Sequence, residues 1–193
     1  MEWGFGRMGL MKIYIARHGE TDSNKAMRLQ GQRTNDDLNA LGVKQAEKLA
    51  TKLTNENFDV IFTSPLVRAV HTANIVAEAI KAPIVESKDI LERDFGIFSG
   101  KTWEEMKVIS DSDTDFRTKD FAQEYDYRLY EGESMEDVKT RLIKFIDMLK
   151  KDYADKKVLI IAHGGILKLA HLLFNEKVLD KTPDNASIHE FDV

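Results

Sequence analysis

Cysteine is absent from the 193-residue chain, which excludes thiolate catalysis, disulfide staples and thiolate metal sites. A basic surplus is missing too: 28 Lys and Arg against 33 Asp and Glu give a net charge of −5. That balance argues against nucleic acid or an anionic membrane as the partner and leaves room only for a local basic pocket. No apolar run approaches the roughly 20 residues that cross a bilayer. The opening stretch MEWGFGRMGLMK places glycine and charge where a secretory signal needs an unbroken apolar core, so a cytoplasmic enzyme or binding protein is expected. Internal repeats and low-complexity linkers are also missing. So are H-E-x-x-H and Asp/His/Glu clusters with metal-ligand spacing, and no metal or other cofactor is expected.

What is present is an alternation of strand-like and helix-like segments. Residues 1–11 read as an irregular extension, with Met8 and Met11 as alternative starts to Met1. Its GFGRMG satisfies G-x-G-x-x-G literally, but a dinucleotide fingerprint follows a strand and opens a helix, and this one precedes a strand. From Lys12 onward the spacing predicts a strand at KIYIA and a helix over 41–53, with Val43, Ala46, Leu49, Ala50 and Leu53 on one face. A second strand follows at Phe58–Thr63. The next helix is expected to be capped by Ser64 with Pro65 as its first residue, and to bury Ala69, Ala73, Val76, Ala77 and Ile80. APIVES is a weaker strand. Ser134 opens a further helix in a capping box closed by Asp137, burying Val138, Leu142, Phe145 and Leu149. KVLIIA is the most apolar strand, a helix begins near Ile166, and ASIHEFDV closes the chain as an edge strand with Asn185 in the turn that enters it. This order predicts an α/β fold: a mostly parallel central sheet with helices on both faces, in a single domain over 12–193.

Between Lys101 and Glu133 the periodicity dissolves into aromatics and charges, and the stretch reads as an inserted cap. DSDTD, with Asp111, Asp113 and Asp115, imitates the start of a calcium loop, but Phe116 and Ala122 stand where the glycine and the bidentate Glu belong. A solvated acidic loop is the better reading.

Three strands end in chemically capable residues. The first runs into Arg17-His18-Gly19, the second into TSPLVRA with Arg68, and KVLIIA into His163-Gly164-Gly165. Carboxyl ends of parallel strands share one edge of a sheet, where ligands bind. Two arginines and two histidines are therefore expected to converge. Guanidinium groups bind phosphate by charge and paired hydrogen bonds. Helix N-termini after Ser64 and Gly165 would add N–H donors, and a neutral imidazole beside them can attack phosphorus. Gly19 is read as letting the backbone turn. His71, His171 and His189 are read as helix-surface, packing or structural residues.

The ordered segments ARHGETDSN, DDLNALGVKQA, TSPLVRAVHTA, ILERDFGIFSG, EGESMEDVKTR and IAHGGILK resemble the histidine phosphatase superfamily, in its phosphoglycerate mutase-like branch that includes small-metabolite phosphatases. The resemblance implies a three-layer α/β/α fold with a short cap at about 101–133. It also implies a phosphomonoesterase that needs no metal and acts on a small phosphorylated metabolite. Residue by residue, it makes His18 the phosphorylated nucleophile, Arg17, Asn24, Arg68, His163 and Gly164 its phosphate ligands, and Glu92 the proton donor. Glu20, Thr21 and Gln30 fall near the site as substrate contacts. The resembling mutases carry a W-N pair, an H-G-N-S segment and a larger cap. Here Ser23-Asn24, His163-Gly164-Gly165-Ile166 and a short cap favour hydrolysis over transfer, with a noncatalytic phosphate binder as the third reading.

Overall fold

Five short segments rich in Ile, Val and Phe pair into one sheet: β1 (Lys12–Arg17), β2 (Val60–Thr63), β3 (Ile84–Glu86), β4 (Val158–Ala162) and β5 (Ile188–Asp192). The computed structural model describes residues 10–110 and 114–193. The strand order is β3-β2-β4-β1-β5, and every pairing is parallel except that of β5 with β1. β4 lies at the centre with all five residues buried, which is why its sequence is a continuous apolar run rather than an alternation.

Four long helices cover the two faces. On one side α2 (Ala40–Leu53) and α3 (Val67–Ile80) pack Leu49, Leu53, Ala73 and Val76 against Ala16, Ile61 and Leu159. On the other, α6 (Met135–Asp152) and α7 (Gly164–Asn175) pack Leu142, Phe145 and Leu167 against Ile13, Ile15, Phe62 and Ile160. Each of the larger side chains among these, removed from water, stabilises the fold by about 1.5–3 kcal/mol. Residues of β1 alternate between the two cores, Ile13 and Ile15 to one and Ala16 to the other, as the two-residue period of a strand requires.

Register levels the strand ends that matter. Arg17 pairs with Ala162 and Thr63 with Ile161, so β1, β4 and β2 finish side by side. The ladders run on past the strands, with His18 N–H bonded to Ala162 O at 3.0 Å and Ser64 N–H to Ile161 O at 3.1 Å. Three elements close over that edge: α1 (Asp22–Lys25), α4 (Trp103–Ser110) and α5 (Phe116–Ala122).

Three expectations are corrected. The helix after β2 starts at Val67 with Leu66 at its cap, not at Ser64-Pro65. The distant Asn35 accepts the Val67 N–H at 2.9 Å, so a long-range partner replaces the local cap that the sequence suggests. α7 begins at Gly164, two residues earlier than the apolar pattern indicates. The stretch 101–133 is not a plain loop, because it carries α4 and α5 with a one-turn 3-10 helix at Arg128–Tyr130. Its helices are too short to show a period, and they dock through aromatic packing: Phe98, Phe116 and Tyr127 are buried together. The GFGRMG segment, Met8, Asp111 and Asp113 lie outside the described residues.

Candidate active site

A cavity of about 390 Å³ opens over the carboxyl ends of β1 and β4. Arg17, His18, Asn24, Gln30, Arg68, Glu92 and Gly164 line it, together with Glu20 at one side. Five of these follow a strand or open a helix within a few residues of the sheet edge, so the fold itself sets their positions. His163 lies beside them with its ring centroid 5.2 Å from that of His18. Thr21 does not line the cavity: its hydroxyl caps α1 by accepting the Asn24 N–H at 3.1 Å.

Backbone packing holds the loop after β1 in place. A Cβ on Gly19 would sit 2.4 Å from Gly42 O, and one on Gly42 would sit 2.0 Å from Glu20 O. Gly19 is thus needed for close approach to the first turn of α2, rather than for the turn that the sequence suggests.

His18 is 3 % exposed, and its Nδ1 lies 2.7 Å from Gly19 O. A carbonyl accepts only, so Nδ1 carries the proton and Nε2 keeps its lone pair. Burial, and then the charges of Arg68 and Arg17, hold the imidazole well below its ordinary pKa of 6.5. The ring is therefore neutral and nucleophilic at physiological pH. Burial, Arg68, Arg141 and Arg17 hold His163 neutral in the same way.

The donors around this ring are mostly unspent. Arg17 gives Nη1 to Pro183 O at 2.7 Å, and Arg68 gives Nη1 and Nη2 to Thr34 O and Gly31 O at 3.1 and 2.8 Å. The Nε atoms of both arginines and both ring nitrogens of His163 are buried without a hydrogen-bond partner. Leaving such a donor unsatisfied costs about 1–3 kcal/mol, more when it is charged. Burial pushes Arg17 and Arg68 down to about 10, and both stay charged near neutrality. A tetrahedral oxyanion is the ligand that two guanidinium groups, an imidazole N–H and an amide can satisfy together.

Asn24 is oriented by contacts the sequence did not reveal. Its Oδ1 accepts from the Thr21 N–H at 3.2 Å and from Asn185 Nδ2 at 3.2 Å, which leaves its own amide donors for the cavity. Asn185 also donates to His18 O at 3.1 Å. Its place in the turn before β5, 167 residues from His18, gave no local signal of this role.

Glu92 reaches the N-terminus of α7. Its Oε2 accepts the Gly165 N–H at 3.0 Å and its Oε1 the Arg93 N–H at 2.9 Å. A Cβ on Gly165 would stand 2.1 Å from that Oε1, so a larger residue there would displace the carboxylate. The helix end expected to offer N–H donors to an anion thus spends the Gly165 donor on Glu92. Burial by itself would raise the carboxyl, but Arg93, the two N–H donors and Arg68 outweigh it and hold Glu92 below the ordinary carboxylate range.

Behind this clamp lies a second charged group. Asp120 of α5 receives Lys168 Nζ from α7, Arg93 Nη1 at 2.6 Å and Tyr127 Oη at 3.3 Å. Lys168 also lies over the Phe121 ring, 4.3 Å from its centroid. Arg93, Asp120, Phe121 and Lys168 all line the cavity. Arg93 and Lys168 stand within the quoted segments ILERDFGIFSG and IAHGGILK but were given no role there, and Asp120 and Phe121 carry no motif.

The comparisons with known proteins identify the family and the fold. Residues 13–193 match the model of the histidine phosphatase superfamily (branch 1). The chain is similar to the uncharacterized phosphatase PhoE of Bacillus subtilis, 37 % identical over 165 residues that cover 85 % of this chain and 76 % of the other. It is also similar to phosphoserine phosphatase 1 of Hydrogenobacter thermophilus, 33 % identical across 80 % of this chain and 71 % of that one. Among solved structures, the mycobacterial glucosyl-3-phosphoglycerate phosphatase complex with VO3 superposes with a TM-score of 0.80 at 26 % identity, covering 93 % of this chain and 90 % of that one. The mostly parallel α/β fold of that group is the one described above. Among the described residues, no helix is long and apolar enough to cross a membrane.

Proposed function

Since the chain belongs to the histidine phosphatase superfamily and is a phosphoric monoester hydrolase, we propose that it works without a metal, through a phosphohistidine on His18, on a small phosphorylated metabolite. The observation that carries this reading is the set of buried donors without partners around the His18 ring. In this reading Arg17, Arg68, His163 and Asn24 hold the phosphoryl oxygens, and Gly164, whose absent side chain leaves space beside Arg17, lets the phosphate approach. Gln30 is buried with its Oε1 unpartnered, and Glu20 stands at the cavity wall; both face the substrate.

Two displacements follow. His18 Nε2 attacks phosphorus in line while the ester P–O bond breaks, and Glu92 gives its proton to the departing oxygen. The clamp stabilises the charge on the equatorial oxygens throughout. Water then attacks the phosphohistidine, Glu92 takes its proton, the P–N bond breaks and His18 leaves neutral. Glu92 is ionised in the empty site, so its proton enters with the substrate. A phosphate monoester whose second pKa is about 6 carries one, and its negative charge offsets the arginines that hold the carboxyl low.

Hydrolysis rather than transfer is favoured by the slight cap, whose helices span only eight and seven residues. The relatives' names, phosphoserine phosphatase and glucosyl-3-phosphoglycerate phosphatase, support a phosphorylated alcohol of small-metabolite size. The test is release of inorganic phosphate from a panel of phosphomonoesters with EDTA present, in wild type and His18→Ala. No turnover of any ester by folded wild type refutes the reading. Transfer between the 2- and 3-positions of phosphoglycerate faster than hydrolysis would replace it with a mutase.

A further inference from the structure

One buried guanidinium stands between the proton donor and the cap. Arg93, 4 % exposed, places Nε 3.9 Å from Glu92 Oε1 and Nη1 2.6 Å from Asp120 Oδ1. It lies over the rings of Phe95 and Tyr125, 5.2 and 4.8 Å from their centroids, so packing fixes its direction. Asp120 comes from the cap helix α5, is fully buried, and also receives Lys168 Nζ and Tyr127 Oη. Apolar residues of similar volume often hold a fold as well as a buried ion cluster does. What this cluster faces is therefore informative.

It faces a carboxylate with a demanding task. Glu92 must carry a proton as the ester oxygen departs, and a cation at its side works against that. Among the charges around Glu92, Arg93 acts on it most strongly, and it favours the ionised form. The other charged groups near it are also cations: Arg68 of α3, Arg17 at the end of β1 and Lys168 of α7, with Arg141 of α6 donating to the Glu92 carbonyl. Tyr125 faces it as a phenol that burial keeps protonated. Most of these cations have anions of their own. Glu20 and Asp184 act on Arg17, Asp36 on Arg68, and Glu133 pairs with Arg141. For Arg93 and Lys168 the separate anion is Asp120. We propose that Asp120 is a positioning residue for the proton donor: by pairing with Arg93 it draws the guanidinium charge away from Glu92 and lets that carboxyl take up the proton it delivers. The acid is thereby completed from the cap, while the nucleophile and the clamp are built on the sheet edge.

This inference rests on the phosphatase reading with Glu92 as its acid, and the experiment separates the two. The dependence of kcat on pH is measured on p-nitrophenyl phosphate, whose leaving group needs no acid, and on the alkyl ester of the panel above that wild type turns over fastest. With the alkyl ester, kcat falls at high pH as Glu92 loses its proton in the complex. Asp120→Asn should move that fall to lower pH by about one unit or more, and Arg93→Met should move it to higher pH. Arg93→Lys keeps the charge and should leave the fall close to its wild-type position. In an Arg93→Met background, Asp120→Asn should no longer move it. None of these movements should appear with p-nitrophenyl phosphate. A cluster that only ties α5 to α7 would lower stability and both rates with the fall in place, and that result overturns the proposal. So does a movement that Asp120→Asn still produces without Arg93. Where Asp120→Asn does not fold, Arg93→Met carries the test, and an unmoved fall refutes the pairing. Wild type that hydrolyses p-nitrophenyl phosphate but no alkyl ester lacks a working acid, which overturns this inference alone. If it hydrolyses neither, the phosphatase reading fails and the inference falls with it.

Discussion

The cavity has two charged walls built on opposite principles. Around His18 the polar atoms are buried and unspent: Arg17 Nε, Arg68 Nε and both nitrogens of His163 have no partner. Around Asp120 the charges are buried and paired as ions, with Lys168 and Arg93, and Tyr127 donates to the same carboxylate, although Arg93 Nε and Nη1 make no hydrogen bond. The first wall is held in an unfavourable state by the sheet edge and the two cores beneath it, which in the proposed function an oxyanion would relieve. The second ties the cap helix α5 to α7 and to the segment after β3, so it contributes to the fold as well as to the pocket. A buried polar group can therefore mark either a prepared site or a structural bond, and its partners decide which.

That contrast can be broken experimentally. The largest effect is expected from His18→Ala, which removes the nucleophile and should lower kcat by roughly 10⁴-fold or more while leaving the cavity shaped. Arg68→Met takes away one wall of the oxyanion clamp and should cost about 10²–10³ in kcat. Glu92→Gln can keep only one of the two N–H bonds, which go to different carboxylate oxygens, and it cannot give a proton. Its loss should reach about 10²–10⁴ for alkyl phosphates and be much smaller for p-nitrophenyl phosphate, whose leaving group needs no acid. Measured steady-state rates on both ester classes decide this, and equal losses on both would remove Glu92 from the role.

Stability separates the walls next. Asp120→Asn strands Arg93 and Lys168 without their counterion and should destabilise the protein by about 3–5 kcal/mol, read from urea unfolding. His163→Leu should act in the opposite direction, raising the stability of the empty protein by about 1 kcal/mol as it lowers activity. In a chain of this size that gain moves Tm up by about 2–4 °C. Two destabilised variants of similar size would erase the distinction between prepared and structural charges.

Acid titration gives the smallest and most specific effect. His18 and His163 stay neutral in the fold well below 6.5, while in the unfolded chain they take up protons from about 6.5 downward. The unfolded state then binds more protons, so stability falls as pH drops below 6.5, by at most about 1.4 kcal/mol per histidine for each pH unit. Saturating inorganic phosphate should weaken this dependence, and His163→Leu should halve it. A second titration concerns Lys168, which burial and then Arg93 push down to about 8.

Much of this was legible in the residues themselves, and the reasons differ by region. The strands showed because β4 is apolar throughout and β1 ends in a polar triplet. The convergence of Arg17, His18, Arg68 and His163 followed from one rule about where parallel strands end. The Ser134 cap was readable because both of its partners, Ser134 and Asp137, are local. What failed were contacts made across the sequence. Asn35 caps α3 from 32 residues away, and Asn185 positions both His18 and Asn24 from the far end of the chain. Asp120 looks like any acidic residue in a polar stretch until α5 docks it against Lys168. Glu92 occupies an intermediate place: its chemistry is not distinctive in sequence, and it was identified by resemblance alone, while its seat against the Gly165 N–H exists only in the folded protein.

A covalent bond between phosphorus and His18 is the step on which the proposed chemistry depends, and mass spectrometry detects it directly. Wild-type protein freed of metal by EDTA is mixed with a turned-over ester, quenched in alkali within the first turnovers and digested for peptide mass spectrometry. The expected result is the added mass of one phosphoryl group on the peptide that contains His18, lost on acid treatment and absent from His18→Ala. Turnover that proceeds at full rate with His18 unmodified at every quench time, or a phosphoryl group found on another residue, would contradict it.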